Sequence, residues 1–400
     1  MAAATERKRR SVWWAVHAWA GLKLSLFMTF ILATGTLAVF SAELDWLVTP
    51  SMRVMPQEGP KASWGTLAAS ARDAVPGGRL AQIYAPPHPG FAAEAWLDTG
   101  TARPTRVHLD PYTGRVTGVV GWYNIQRFLR ETHRHLMLPV KLGVPIVCTL
   151  AFLLLASLVS GIVTYKKWWR GFFKRPRGGD GRRLSGDLHR LAGLWSLWFV
   201  ALIAVTGVWY MVESLGGDAP DHPKAPALPI TAAQPVGPAL DALIETGLRA
   251  YPGLDIREIR YPTAKGARGL VLMGQADAWL VRDRSNAVWL NPDDGAVLLV
   301  SRGEELTAHQ RISEMADPLH FGTLGGFATK IVWFLAGILL TGLSVTGVMI
   351  YSLRLRAAAA SGTESSNGWV RAWRGMGWWA YPALGLIILS LALAPGAMLA

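Results

Sequence analysis

The sequence predicts a mainly α membrane protein: a helical bundle of five transmembrane helices that carries two small α+β domains outside the cytoplasm and is built on an internal pseudo-twofold repeat. Three observations carry that expectation. Of 400 residues, 51% are apolar and 17% charged, more apolar surface than a soluble chain can hide. Five stretches, near residues 12–40, 140–165, 188–211, 331–351 and 376–399, stay apolar over the roughly 20 residues that a hydrocarbon layer about 30 Å thick requires. The positive charge is also confined, since residues 1–16 carry +3, 166–187 carry +6 and 352–375 carry +3 of a net +13.

Basic segments beside apolar spans mark the cytoplasmic side. The spans then alternate, with the N-terminus in the cytoplasm, the C-terminus in the periplasm, and a bacterial inner membrane as the location. The organisation that follows is a cytoplasmic start and first span over 1–44, a periplasmic domain over 45–132, and a second span over 133–167. A basic loop over 168–187, a third span over 188–213 and a second periplasmic domain over 214–318 come next, followed by a fourth span over 319–353, a loop over 354–375 and a fifth span over 376–400. The basic residues 7–10 ahead of the first span resemble a secretory leader, but the span's length and the lack of a small-residue cleavage site favour an uncleaved anchor. With the charge accounted for by membrane topology and lipid, no nucleic-acid partner is needed. The single cysteine, Cys148, excludes an intramolecular disulfide, a cysteine-rich metal cluster and covalent haem attachment.

The chain repeats itself. His17 and Gly21 in the first span match His189 and Gly193 in the third, and each histidine is followed seventeen positions later by a Thr-Gly pair, Thr34-Gly35 and Thr206-Gly207. In the intervening segments, helices predicted near 64–75 and 239–251 precede strand-like runs. Each run ends on an Asx-Pro-x-x-Gly pattern, Asp110 to Gly114 and Asn291 to Gly295, which reads as a tight hairpin turn. A histidine then introduces the next span: His133 and His135 lead to Ser160-Gly161, and His320 leads to Thr346-Gly347. Duplication of a span–domain–span unit predicts a four-helix bundle with a fifth helix appended as packing.

On these motifs, from about residue 13 to 351, the chain resembles the PepSY-associated transmembrane family, and within it the inner-membrane ferric-siderophore reductases of the ferrioxamine-utilisation type. The resemblance implies PepSY-like periplasmic domains and reduction of ferric iron outside the cytoplasm.

Topology sorts the span-associated histidines into two layers, His17 with His189 near the inner face and His133, His135 and His320 near the outer face. Haem iron in a membrane bundle takes an axial imidazole from each side, in the form that leaves a nitrogen lone pair free. Two haem b groups are therefore expected, one held by His17 and His189 and the other by His133 and His320. His135 stands as an alternative to His133 or as a helper. Gly21 and Gly193, four residues after their histidines, leave room for a flat macrocycle. His88, His108, His222 and His309 lack repeated spacing and read as surface or loop residues.

Two stacked haems form an electron route. With no Gly-x-Gly-x-x-Gly fingerprint after a strand, neither flavin nor nicotinamide binding is encoded, so the donor is an unidentified cytoplasmic reductant or a membrane quinol. The resemblance makes a ferric siderophore the acceptor, approached by Trp122, Tyr123 and Trp279 if these are more than domain core or interfacial belt. Two alternatives stand beside this reading: a non-redox PepSY protein that binds or restrains an envelope protease or other partner, and a haem oxidoreductase serving another periplasmic acceptor.

Overall fold

The computed structural model describes residues 2–178, 180–228, 234–262, 268–359 and 367–399. Side chains of the basic residues 7–10 and of residues 355–366, on which part of the charge argument rests, lie outside the described residues. The chain divides into two compact units, one of Met1–Ser41, Arg127–Asp218 and Leu319–Leu399, the other of Ala42–Gln126 and Ala219–Pro318.

The first unit is helical. It begins with α1 (Ala2–Leu22) and α2 (Ser25–Ala38), then α3 (Ser41–Val48) leaves it. Among the described residues four helices are long and apolar enough to cross a membrane, Val140–Thr164, Leu197–Gly217, Gly326–Arg354 and Gly368–Gly396, and a fifth crossing is made if the bent pair of α1 and α2 counts as one. The chain is thus a multi-pass membrane protein. The bend between α1 and α2 is 63° and falls at Leu24, whose φ of −108° and ψ of 23° leave the helical region. The third apolar stretch is also broken: its helix stops at Ser196, with φ −95° and ψ 5°, and the helix long and apolar enough to cross begins at Leu197. Leu24 and Ser196 each stand seven residues after a histidine, His17 and His189.

In the second unit, α4 (Trp64–Ala74) precedes β1 (Arg79–Tyr84), β2 (Ala93–Asp98), β3 (Thr105–Leu109) and β4 (Val116–Val120). After α5 (Ile125–His135), α6 (Val140–Thr164), α7 (Gly181–Trp195) and α8 (Leu197–Val212), the chain returns with α9 (Pro238–Ala250), β5 (Asp255–Arg260), β6 (Leu270–Gln275), β7 (Asn286–Leu290) and β8 (Val297–Ser301). It closes with α10 (Ala308–Phe321), α11 (Gly326–Ala359), α12 (Gly368–Met376) and α13 (Ala380–Leu399). Where the sequence predicts two α+β domains, all eight strands join one sheet in the order β4-β3-β2-β1-β5-β6-β7-β8. The seam is antiparallel, Gln82 against Arg260, Ile83 against Ile259 and Tyr84 against Glu258.

One apolar core underlies that sheet, with Leu67, Ile83 and Leu97 from the first segment packed with Leu240, Ile259 and Leu272 from the second. The helices lie close: an added Cβ at Gly65 would strike the Gly237 carbonyl, and the Asp241 carboxylate accepts from the Gly65 N–H and the Ser63 hydroxyl, both at 2.8 Å. Burial of these groups against each other, and not against two separate interiors, is what merges the segments. Both predicted hairpin turns form, with Gly114 and Gly295 at φ 74° and 75°, values that L side chains rarely tolerate.

The core of the membrane unit runs between helices: Phe27 and Ile31 of α2, Leu150 and Leu154 of α6, Phe199 and Ala204 of α8, and Ala336 and Leu340 of α11, with Ala383 contributed by α13. Without water to compete, close packing and interhelical hydrogen bonds hold such helices together.

Candidate functional site

The membrane unit brings four of the predicted histidines together in twos. His17 on α1 and His189 on α7 have ring centroids 6.2 Å apart at 81°, and His133 on α5 and His320 on α10 have theirs 6.2 Å apart at 39°. The pairs sit toward opposite ends of α6. His17 meets Ser157 and Ser160 in the last turns of that helix, while His133 is on the helix that immediately precedes it.

Each ring is fixed by the same device. The Nδ1 of His189 donates to the Thr346 hydroxyl at 2.9 Å, and that of His320 to the Thr206 hydroxyl at 2.8 Å. These hydroxyls spend their single proton inside their own helices, Thr346 on the Gly342 carbonyl at 2.7 Å and Thr206 on the Leu202 carbonyl at 2.8 Å. They are left as acceptors, so the imidazole carries its proton on Nδ1. His17 donates from Nδ1 to the Ser157 carbonyl at 3.0 Å, with the Ser160 hydroxyl at 3.1 Å, and His133 donates to the Ile31 carbonyl at 2.9 Å. A carbonyl only accepts, which fixes the same tautomer. In all four rings the lone pair is therefore on Nε2 and the proton on Nδ1, the tautomer in which Nε2 is the basic nitrogen.

Thr346→Val tests this fixing directly. It keeps the shape but removes the acceptor, leaving a buried N–H unsatisfied, so stability falls by about 1–3 kcal/mol. A denaturation series should place Thr346→Ser close to the unmodified chain.

Glycines shape the seats. An added Cβ at Gly35 would lie 2.5 Å from His133 Cε1 and 2.8 Å from its Nδ1, whereas at Gly161 and Gly347 it would stand 3.5 Å from His17 Cε1 and 3.6 Å from His189 Cε1. The hydroxyl-glycine pairs visible in the sequence as repeated landmarks thus receive the histidine of another helix, a role that spacing alone did not reveal. Beside Gly21 an added Cβ meets nothing within 4 Å, and beside Gly193 it meets Leu343 at 3.7 Å. His135 differs from the four: its Nδ1 is buried without a hydrogen-bond partner, and it is His133 that faces His320.

The expected pair of haem b groups is corrected here. Among the described residues no group of three or more His, Cys, Asp or Glu side chains gathers to hold a metal ion, and each layer offers two imidazoles with no third such ligand.

The remaining histidines are not all at the surface. His108 on β3 is 1% exposed, accepting or donating at Nδ1 with the Ser51 hydroxyl at 2.8 Å. It is grouped with Arg106 and Glu94, whose carboxylate takes the Arg106 guanidinium at 2.9 and 3.0 Å. Burial alone would raise the Glu94 carboxyl, but hydrogen bonds from His108 and Arg106 and the Arg106 charge hold it well below the usual range. A second buried cluster surrounds Glu314 on α10, with His222 at 2.9 Å, Arg282 at 2.8 Å and Arg284 at 2.8 Å. Of the aromatics considered for an acceptor, Trp122 stacks edge-on against Trp96 at 4.7 Å, Tyr123 lies under Arg103, and Trp279 is exposed.

Residues 14–354 match the family model of the PepSY-associated TM region. Comparison with curated proteins gives no match.

Proposed function

Because the chain belongs to the PepSY-associated transmembrane family, we propose that it is a membrane oxidoreductase which delivers electrons to a ferric siderophore on the periplasmic side. The donor in this reading is a cytoplasmic reductant or the quinol pool. The observation that carries it is the pairing of His17 with His189 and of His133 with His320, each pair at 6.2 Å, with every ring anchored at Nδ1 by another helix. Imidazole accepts protons and does not carry electrons, so the part these rings play is with protons: held in advance at two separate positions, they supply acceptors for the protons that quinol oxidation releases. One quinol gives up two electrons and two protons, and two ferric ions each take one electron. Iron(II) is held less firmly than iron(III) by the hard oxygen donors of a siderophore, so reduction frees the metal.

The test uses the full chain in nanodiscs, a reduced quinol, a ferric siderophore and a chromogenic chelator specific for iron(II). The unmodified chain should generate the ferrous complex, and His189→Ala or His320→Ala should lower the rate by about 10²-fold or more, the size of effect seen when a positioned proton-transfer group is lost. No ferrous complex from the unmodified chain, or variants as fast as the unmodified chain, would end the reading.

One observation favours the partner-binding alternative. Among the described residues the strand β8, Val297–Ser301, pairs with β7 alone and ends the sheet, and such an edge is a template for an added strand. A chain inactive in the iron assay but able to protect an envelope protease from its substrate would support that alternative instead.

A further inference from the structure

The segment that joins α6 to α7 has chemistry that neither imidazole pair uses. Residues 166–187 carry a net +6. Both carboxylates in that count are already engaged, Asp187 by Arg177 at 2.9 Å and Arg190 at 3.0 Å, and Asp180 by Arg183 at 3.7 Å. Lys167, Arg170, Lys174 and Arg175 meet no carboxylate among the described residues.

Two features point to what completes them. Asp187 is shared by two guanidinium groups, and on Arg190 both Nε and Nη2 are buried without a hydrogen-bond partner. Those two nitrogens are closed to the exterior, so the donors offered to acceptor oxygens from outside the protein are those of Lys167, Arg170, Lys174 and Arg175, all exposed. The cations also alternate with aromatic rings that the protein does not cover: Trp169 is 58% exposed and Phe173 is 86% exposed. The segment begins immediately after the apolar helix Val140–Thr164, so these rings stand at the end of a membrane span.

We propose that this basic-aromatic segment is a binding surface for the phosphate headgroups of anionic phospholipids in the surrounding bilayer. The ammonium and guanidinium groups pair with headgroup phosphates, while Trp169 and Phe173 enter the boundary between headgroups and acyl chains. A free phosphate ion has the same charge chemistry but leaves the rings in water, and so does not account for them.

The experiment places a fluorophore at the segment. Cys148→Ser removes the single native thiol, Phe173→Cys introduces a labelling position, and the full chain is reconstituted into vesicles with brominated acyl chains. One set of vesicles contains only phosphatidylcholine and the other includes phosphatidylglycerol. Quenching should be at least about twofold stronger with phosphatidylglycerol, weaken at high salt, and fall to the phosphatidylcholine level when Lys174→Glu and Arg175→Glu are combined. Added inorganic phosphate should leave it unchanged. Equal quenching in the two vesicle types, or insensitivity to the charge reversals, overturns the proposal. Displacement by inorganic phosphate overturns it too, in favour of a free-anion site. A milder pair, Lys174→Gln with Arg175→Gln, and the phosphatidylglycerol retained per chain on purification give the same decision should the charge-reversed protein fold poorly.

Discussion

Glu314→Ala should lower the unfolding free energy of the sheet-bearing unit by about 3–5 kcal/mol, the usual penalty for removing one partner from a buried ionic cluster. The carboxylate has a side-chain exposure of 1% and is shared by Arg282, Arg284 and His222. It also takes the Arg282 backbone N–H at 3.1 Å, and Arg282 reaches on to Asp317 at 2.9 Å. Truncation strands two guanidinium groups, one of them only 28% exposed, with a single carboxylate left nearby. Glu314→Gln keeps the shape and loses the charge, so its deficit should fall between the two.

The same cluster sets a pH dependence. Burial acting alone would raise the Glu314 carboxyl, but hydrogen bonds from His222 and Arg282, with the charges of Arg282 and Arg284, hold it well below the usual carboxylate range. A depressed carboxyl contributes its full stabilisation above its unfolded value and loses it as pH falls toward its folded value. Glu94 is depressed in the same direction. Denaturant midpoints of the unmodified chain should therefore drop as pH falls below the ordinary carboxylate range, and the Glu314→Gln variant should show a shallower drop. Equal slopes would mean that the cluster is not coupled to folding.

Local chemistry was legible in the sequence and long-range register was not. Hydropathy located the apolar crossings, because a span announces itself within about 20 residues. Proline and glycine located the turns at Asp110 to Gly114 and Asn291 to Gly295, because their backbone restrictions are intrinsic. The seam of Ile83 with Ile259 joins strands far apart in the chain, and no periodicity within either strand encodes it; hence two domains were expected and one sheet formed. His108 illustrates the same limit, since its partners come together from separate places in the chain: Ser51 from a turn, Glu94 from β2 and Arg106 from its own strand. Repetition exposed the histidines, whereas the receiving groups are partly backbone carbonyls, of Ile31 and Ser157, which have no residue signature. The two haem groups were inferred from pairing plus resemblance, and the described residues assemble no larger ligand group around either pair.

Substituting alanine at Gly35, Gly161 and Gly347 should separate one glycine from the other two. Glycine inside a helix is less favourable than alanine by about 0.8–1.0 kcal/mol, so alanine stabilises wherever its methyl group has room. At Gly161 and Gly347 the new carbon would make ordinary contacts at 3.5 Å and 3.6 Å, and both variants should be neutral or slightly stabilised, with iron reduction close to the unmodified rate. At Gly35 it would sit 2.5 Å from His133 Cε1 and 3.1 Å from Nε2. That ring has little freedom to retreat, because Nδ1 is tied to the Ile31 carbonyl at 2.9 Å and His320 stands opposite. Overpacking of this kind destabilises by about 1–3 kcal/mol, more than the gain in helix propensity. Gly35→Ala should accordingly lower the thermal midpoint and, by turning His133 away from His320, depress ferrous-complex formation in the nanodisc assay. Identical behaviour of all three variants would show that the imidazoles do not depend on these seats, and the link between ring placement and electron delivery would go with it.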